Sequence, residues 1–323
     1  MARTVFRPGL SGMVAAALLA GAAHAETPSE RHHRALVAGY KAAFTCSATF
    51  LSDRPRAAIE ENELSGIYPD YRETMADLPP ARIDDASRSV SVAFDPDAPP
   101  RIAVFRDGFG CTQLPIEAEA SRADWLARKS GWPRADGLDR SSALGADVSI
   151  SMPVEVQSRL EAPISFAFDG QTYGDGTRTS AVVILHRGEV VGERYARGIG
   201  PETPQRTWSV AKSITATLLG AAHAQGLIGP QSSALLEAWR NGSDPRREIT
   251  LANLLHMSSG LYAGDQGART DAVYFGGARV VDESTTGSLI QAPGSTFHYA
   301  NNDTLIALRA LREAIGDDAA YHA

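Results

Sequence analysis

The alternation of apolar and polar positions divides the chain into segments of different character. Residues 29–44 place Leu36, Val37, Tyr40 and Phe44 at helical spacing, which predicts an amphipathic helix. Residues 56–64 predict a shorter helix with Glu60, Glu61 and Glu63 on its solvated side. Residues 89–94 (SVSVAF) alternate and residues 101–105 (RIAVF) run apolar, so two strands are expected, joined by the Asp- and Pro-rich turn 95–100. Asp84-Asp85 reads as turn chemistry. Residues 131–152 are rich in Gly, Ser, Asp and Pro and lack periodicity, as a linker or long surface loop does. Beyond them, residues 164–168 predict a strand. Residues 181–185 and 190–195 predict two more, and His186-Arg187-Gly188-Glu189 turns them into a hairpin with a structural His186 at its rim.

Residues 209–225 (SVAKSITATLLGAAHAQ) are apolar or small almost all round, which predicts a core helix stopped by Gly226, Gly229 and Pro230. Short helices are expected at 232–239, 249–256 and 285–290, and a last one at 304–315. The Gly- and Asp-rich stretch 262–284 reads as a loop over a site, and Pro293-Gly294-Ser295 as a turn. The resulting division is a small α+β region at 26–130, the linker at 131–152 and a main domain at 153–323.

Composition narrows the class. The chain has 323 residues, with 43% apolar and 21% charged side chains, which suits one large globular domain or two smaller ones. Its formal net charge is -7 and it has no basic block, which argues against nucleic acid as a partner. Residues 1–25 have the form of a secretory signal: Arg3 and Arg7, an apolar core at 13–22, and the small-x-small site Ala23-His24-Ala25. That core is too short to span a bilayer and no later stretch approaches spanning length, so no stable membrane span is expected. A periplasmic or secreted location follows. Cys46 and Cys111 would then meet an oxidising compartment and are expected to be bonded, whereas nothing beside either supplies a base for catalytic cysteine chemistry. The eight His form no spaced ligand set, so no metal and no other cofactor is expected.

The candidate chemistry lies in Thr207-Trp208-Ser209-Val210-Ala211-Lys212. Residues three apart share a helix face, so the Ser209 hydroxyl and the Lys212 amine can meet. A serine hydroxyl needs a neighbouring base, and a lysine amine can act as one when it has lost its proton. The chain has 31 Lys and Arg, of which only Lys41, Lys129 and Lys212 are Lys, and only Lys212 has Ser three positions before it. The six residues also fit a buried helix whose lysine reaches water from the first turn. A second constellation is Tyr299-Ala300-Asn301. Its phenol could pass protons and its carboxamide could orient an amine, or the three could simply form a turn before the last helix.

Taken together, these segments resemble the serine β-lactamase and penicillin-binding-protein superfamily, in the branch similar to class C β-lactamases, esterases and 6-aminohexanoate-dimer hydrolases. The resemblance rests on Trp208–Ser213, on 254–261 (LLHMSSGL), on 293–301 (PGSTFHYAN) and on the 179–195 hairpin, and covers about residues 160–323. Residues 26–150 resemble nothing identifiable. The resemblance implies an α+β fold, an antiparallel sheet flanked by helices with a helical subdomain. It implies acyl transfer from a small-molecule amide or ester, with Ser209 as nucleophile, Lys212 and Tyr299 moving the proton, Asn301 positioning Lys212 or substrate, and the Ser209 N–H as an oxyanion donor. The family fold continues past Tyr-x-Asn to a third motif on a core strand. Here 22 residues follow Asn301, so a C-terminally truncated chain is expected. A penicillin-binding or sensor protein acylated without turnover, and an inactive remnant, are the alternative readings. The sequence does not choose among ester, amide, peptide and β-lactam substrates or give an oligomeric state.

Overall fold

The structure is a computed structural model and describes residues 27–123, 154–263, 270–280, 285–317 and 320–321. The expected signal segment and the 131–152 linker lie outside the described residues. The first long element is α1 (Pro28–Phe50), longer than its apolar pattern predicts. It begins in a capping box: Thr27 Oγ1 accepts from the Glu30 N–H, and the Glu30 carboxylate accepts from the Thr27 N–H. Its buried face is built largely of small residues, Ala35, Ala38, Gly39, Ala42 and Ala48, which lets a sheet approach closely. A helical turn at Arg56–Ala58 runs into a π-turn at Ile59–Glu63, where a short α-helix is expected. α2 (Arg72–Asp77) follows.

The sheet against α1 has four antiparallel strands in sequence order, β1 (Arg82–Asp84), β2 (Ser89–Val92), β3 (Arg101–Arg106) and β4 (Gly110–Gln113). The short outer strands β1 and β4 carry too little apolar alternation to be read from the sequence. Asp84 ends β1 and its carboxylate accepts from the N–H groups of Ala86 and Ser87, the turn chemistry its pair predicts. β3 is buried on both faces. Ala103 and Phe105 face α1 with Val37, Ala38 and Cys46, while Ile102 and Val104 pack on Leu114 and Ala123. Cys111 on β4 is bonded to Cys46 on α1, which ties helix to sheet.

Three differences from expectation bear on residues 164–168, 285–290 and 210–224. Residues 164–167 of the expected strand 164–168 belong to α3 (Val154–Ala167), a helix. A short run with four apolar residues in five does not separate the two forms. Ile164 is buried and its tip sits where a Cβ on Gly192 would be. Residues 285–290 are not helical; Leu289 instead bridges to Leu261 in antiparallel fashion. The hairpin is as expected, β5 (Ala181–His186) with β6 (Glu189–Tyr195), and Arg187 and Gly188 both have positive φ (52° and 84°), as a type I′ turn requires.

The third difference concerns α4 (Val210–Ala224), the helix that Ser209 opens. It is not buried all round. Thr215, Leu219 and Ala222 face inward, while Val210, Ile214 and Leu218 stay more than half exposed at i, i+4 and i+8. The inward face joins α5 (Leu251–Leu255) and the last helix, here α7 (Asn301–Ile315), in a second core around Trp239, Leu254, Ile306 and Ala310. Of 232–239 only Glu237–Trp239 is helical, as a 3₁₀ turn. α6 (Asp271–Tyr274) lies within the stretch expected to be loop.

The α1 region grips the α6 segment directly. The Arg101 guanidinium is 1% exposed and donates to the carbonyls of Leu114 (2.9 Å) and Phe275 (2.7 Å). Burial lowers its pKa to about 10, so it remains charged at neutral pH. Tyr71 donates to the Asp271 carboxylate at 2.6 Å. Gly39 lies so close to the Phe275 carbonyl that any Cβ there would overlap it.

Replacing both cysteines, Cys46→Ser with Cys111→Ser, opens a loop of 65 residues. Stability should fall by about 2–4 kcal/mol. Urea unfolding measures this, and an unchanged midpoint contradicts it.

Candidate active site

The site begins at the strained entry to α4. Trp208 has φ 46°, in the left-handed region that costs a large side chain roughly 1–3 kcal/mol. The turn closes through Val210 N–H to Thr207 O and Ala211 N–H to Trp208 O, both 3.1 Å. Trp208 is held from the side by Phe44 and Tyr68, at centroid distances of 5.7 and 6.2 Å. Ser209 is the N-cap residue of α4, yet its side chain caps no helix N–H. Its hydroxyl is turned instead toward Lys212 and Tyr299.

The second half is the approach to α7. Gly294 (φ 80°) turns the chain after Pro293, and the His298 N–H donates to the Met257 carbonyl at 2.8 Å. The 257–261 segment is itself pinned. Gly260 (φ 76°) lies where a Cβ would overlap the Gln291 carbonyl, and the Ile290 N–H donates to its carbonyl at 2.9 Å. The Ser259 hydroxyl donates to buried Asp303 in the first turn of α7 at 2.8 Å. These ties fix Tyr299, and Asn301 follows as the first residue of α7.

All four predicted residues meet. The Tyr299 Oη lies 2.6 Å from the Ser209 Oγ. Lys212 Nζ donates to the Ser209 Oγ (2.9 Å) and to the Asn301 Oδ1 (2.6 Å). Lys212 Nζ also lies 5.0 Å from the Tyr299 ring centroid. The hydrogen bond with Ser209 is the largest effect and lowers the Tyr299 pKa; burial opposes it, and the hydrogen bond and charge of Lys212 add smaller lowering effects. Once ionised, a phenolate so placed can take a proton from the serine hydroxyl. Cys46 and Cys111 stand apart from this group as a structural bond.

What sequence reading missed is the wall beside Ser209. A cavity of about 530 Å³ opens next to Ser209, with Phe44, Tyr68, Trp208, Tyr274, Phe275 and Leu308 in its lining. Phe44 is legible only as a core-facing position of the first helix. Tyr274 and Phe275 are legible as aromatics in the 262–284 stretch, but no spacing links either to Ser209.

Residues 167–320 match the family model described as Beta-lactamase. The matched segment contains Ser209, Lys212, Tyr299 and Asn301, while residues 27–123 lie outside it. Among solved structures, the chain is similar to a Bacillus anthracis protein proposed to be a 6-aminohexanoate-dimer hydrolase, at 23% identity and a TM-score of 0.37. That match covers 43% of this chain and 41% of the other, so this chain spans less than half the length of that protein. No curated protein matches the chain. No helix among the described residues is long and apolar enough to cross a membrane.

Asp303 gives the site a pH signature. Burial raises its carboxyl to about 6, against the Ser259 hydrogen bonds and the nearby His298, which pull it down. An acid raised in the folded state penalises the fold once ionised. The penalty is absent below the unfolded pKa near 3.8, grows as pH rises from there through about 6, and is constant above. At 1.36 kcal/mol per pKa unit it reaches about 2–3 kcal/mol. Between pH 4 and 7 the wild-type protein should lose that much stability relative to Asp303→Asn. Parallel stability curves for the two proteins over that range contradict the assignment.

Proposed function

We propose that the chain is an exported serine hydrolase that cleaves an amide or ester through an acyl-enzyme on Ser209. The observation that carries this reading is the linked set of contacts Tyr299–Ser209–Lys212–Asn301 at 2.6, 2.9 and 2.6 Å. It contains a nucleophile, a proton acceptor within reach of it, and a third group that orients the amine between them.

In the first half-reaction the Ser209 hydroxyl proton passes to the Tyr299 oxygen while Oγ attacks the substrate carbonyl. The Lys212 charge favours the phenolate that receives it. The oxyanion forms at the N-terminus of α4, where the helix dipole favours negative charge and the Ser209 N–H supplies a donor. Tyr299 returns the proton to the leaving amine or alcohol as the C–N or C–O bond breaks. In the second half-reaction Tyr299 takes a proton from water, the hydroxide equivalent attacks the acyl carbonyl, and the proton returns to Ser209 as the acid departs. Asn301 holds Lys212 in place through both. No step in this sequence calls on a metal ion.

The reading extends to amidase or carboxylesterase chemistry, in the branch similar to class C β-lactamases and 6-aminohexanoate-dimer hydrolases. The Trp208–Ser213 and Tyr299–Asn301 motifs support that placement. Export is supported by the signal-like residues 1–25 and by the Cys46–Cys111 bond, which suits an oxidising compartment.

Hydrolysis of a p-nitrophenyl ester tests the assignment. Ser209→Ala should lower kcat by about 10⁴-fold or more. Tyr299→Phe should lower it by about 10²–10⁴-fold through loss of acid–base catalysis. Either variant turning over at the wild-type rate contradicts the mechanism.

A further inference from the structure

The cavity beside Ser209 is walled from two directions. Trp208 and Leu308 come from α4's entry and from α7, within the Beta-lactamase match. Phe44 and Tyr68 come from residues 27–123, which that match does not cover. Tyr274 and Phe275 belong to the segment that the α1 region clamps through Arg101, Gly39 and Tyr71. The rings form one connected group: Phe44 to Trp208 at 5.7 Å, Tyr68 to Trp208 at 6.2 Å, and Phe44 to Phe275 at 6.2 Å. Arg206 stacks on the Phe44 and Trp208 rings at 4.7 and 5.4 Å and is not part of the lining.

Charge decides what this cavity accepts. Among the described lining residues Lys212 is the only Lys, Arg, Asp, Glu or His, and its amine already donates to Ser209 and Asn301. A substrate carboxylate entering here would lose its water and have at most one remaining donor of that single amine to meet it, which is costly. A neutral apolar group would instead exchange water for aromatic surface, at a volume of about 530 Å³ that lies in the usual range of small-molecule sites.

We infer that residues 27–123 form a specificity wall of the catalytic cleft, through Phe44 and Tyr68, and that the substrate is an ester or amide whose acyl group is neutral and apolar, of aryl or medium alkyl size. The acyl group is assigned to the cavity because it stays bonded to Ser209 through both half-reactions, next to these rings. This inference rests on the serine-hydrolase reading and adds the substrate class to it.

The experiment has two arms. In the first, kcat/KM is measured for p-nitrophenyl acetate, hexanoate, phenylacetate and the singly charged adipate monoester, with wild-type protein and Phe44→Ala. The wild-type protein should prefer hexanoate or phenylacetate over acetate by about tenfold or more and disfavour the adipate monoester. Phe44→Ala should reduce the phenylacetate-to-acetate ratio by about tenfold. In the second, binding of phenylacetamide, acetamide and phenylmalonate to Ser209→Ala is measured by calorimetry, which needs no turnover. Phenylacetamide should bind at least tenfold more tightly than the other two, and Phe44→Ala in the Ser209→Ala background should weaken it about tenfold. Ester hydrolysis that depends on Ser209 but shows no preference for the larger neutral acyl group overturns the specificity wall and leaves the hydrolase reading standing. Selective phenylacetamide binding with no hydrolysis of any ester supports the apolar pocket and overturns the hydrolase reading. If Phe44→Ala does not fold, the wild-type acyl preference and the three-ligand comparison still decide.

Discussion

The contact between Lys212 and Asn301, 2.6 Å long and spanning 89 positions of sequence, is the constraint on which the site depends. It joins the first turn of α4 to the first residue of α7, so the two helix starts cannot separate without breaking it. Ser209 stands just before one start and Tyr299 just before the other, which brings their oxygens to 2.6 Å. Neither residue reaches its place by its own preference. Trp208 adopts a left-handed backbone to turn Ser209 outward, and the run into Tyr299 is held by backbone bonds to the 257–261 segment. Strain at one entry and a pinned loop at the other are the local cost of holding the Ser209 and Tyr299 oxygens together.

That arrangement leans on a region outside the Beta-lactamase match. Trp208 packs on Phe44 of α1 and on Tyr68, so α1 buttresses the residue that precedes and aims Ser209. The same helix, through Gly39, and the sheet, through Arg101, seize the Phe275 carbonyl. Arg101 is a charge in the core with two carbonyl partners and no carboxylate against it among the described contacts. Both bonds come from one terminal nitrogen while the buried Nε has no partner among the described contacts, so removing either carbonyl leaves that charge still less compensated. The α1–sheet unit, braced by the Cys46–Cys111 bond, thereby works as a platform for one side of the cleft.

Much of the site was legible in the sequence because its chemistry is local. Ser209 and Lys212 are one helical turn apart, and Tyr299 and Asn301 flank one residue, so each pair is visible as a short motif. The hairpin was legible because Arg187-Gly188 lies between two β-branched runs, and the Cys46–Cys111 pairing because the chain has two cysteines. What stayed hidden depends on tertiary contact. Residues 164–168 look like a strand until Ile164 is seen packed against the β6 glycine, Gly192. Residues 285–290 (TTGSLI) carry Gly287 and Ser288, which weigh against a helix, but nothing in them shows that Leu289 pairs with Leu261. The half exposure of one α4 face could not be read from a run that is apolar all round. Phe44 as a cleft wall is the plainest case: an apolar residue on a helix face signals burial, and nothing in its neighbours says that the buried surface adjoins a nucleophile 165 positions away.

The most direct test of the central claim is covalent. The protein is incubated with a fluorophosphonate, its intact mass is recorded, and the modified peptide is sequenced by tandem mass spectrometry. The account predicts a single adduct, on the Ser209 hydroxyl, formed faster than on any other serine because Tyr299 accepts its proton. No adduct, or modification of a different serine such as Ser213 or Ser258, contradicts it.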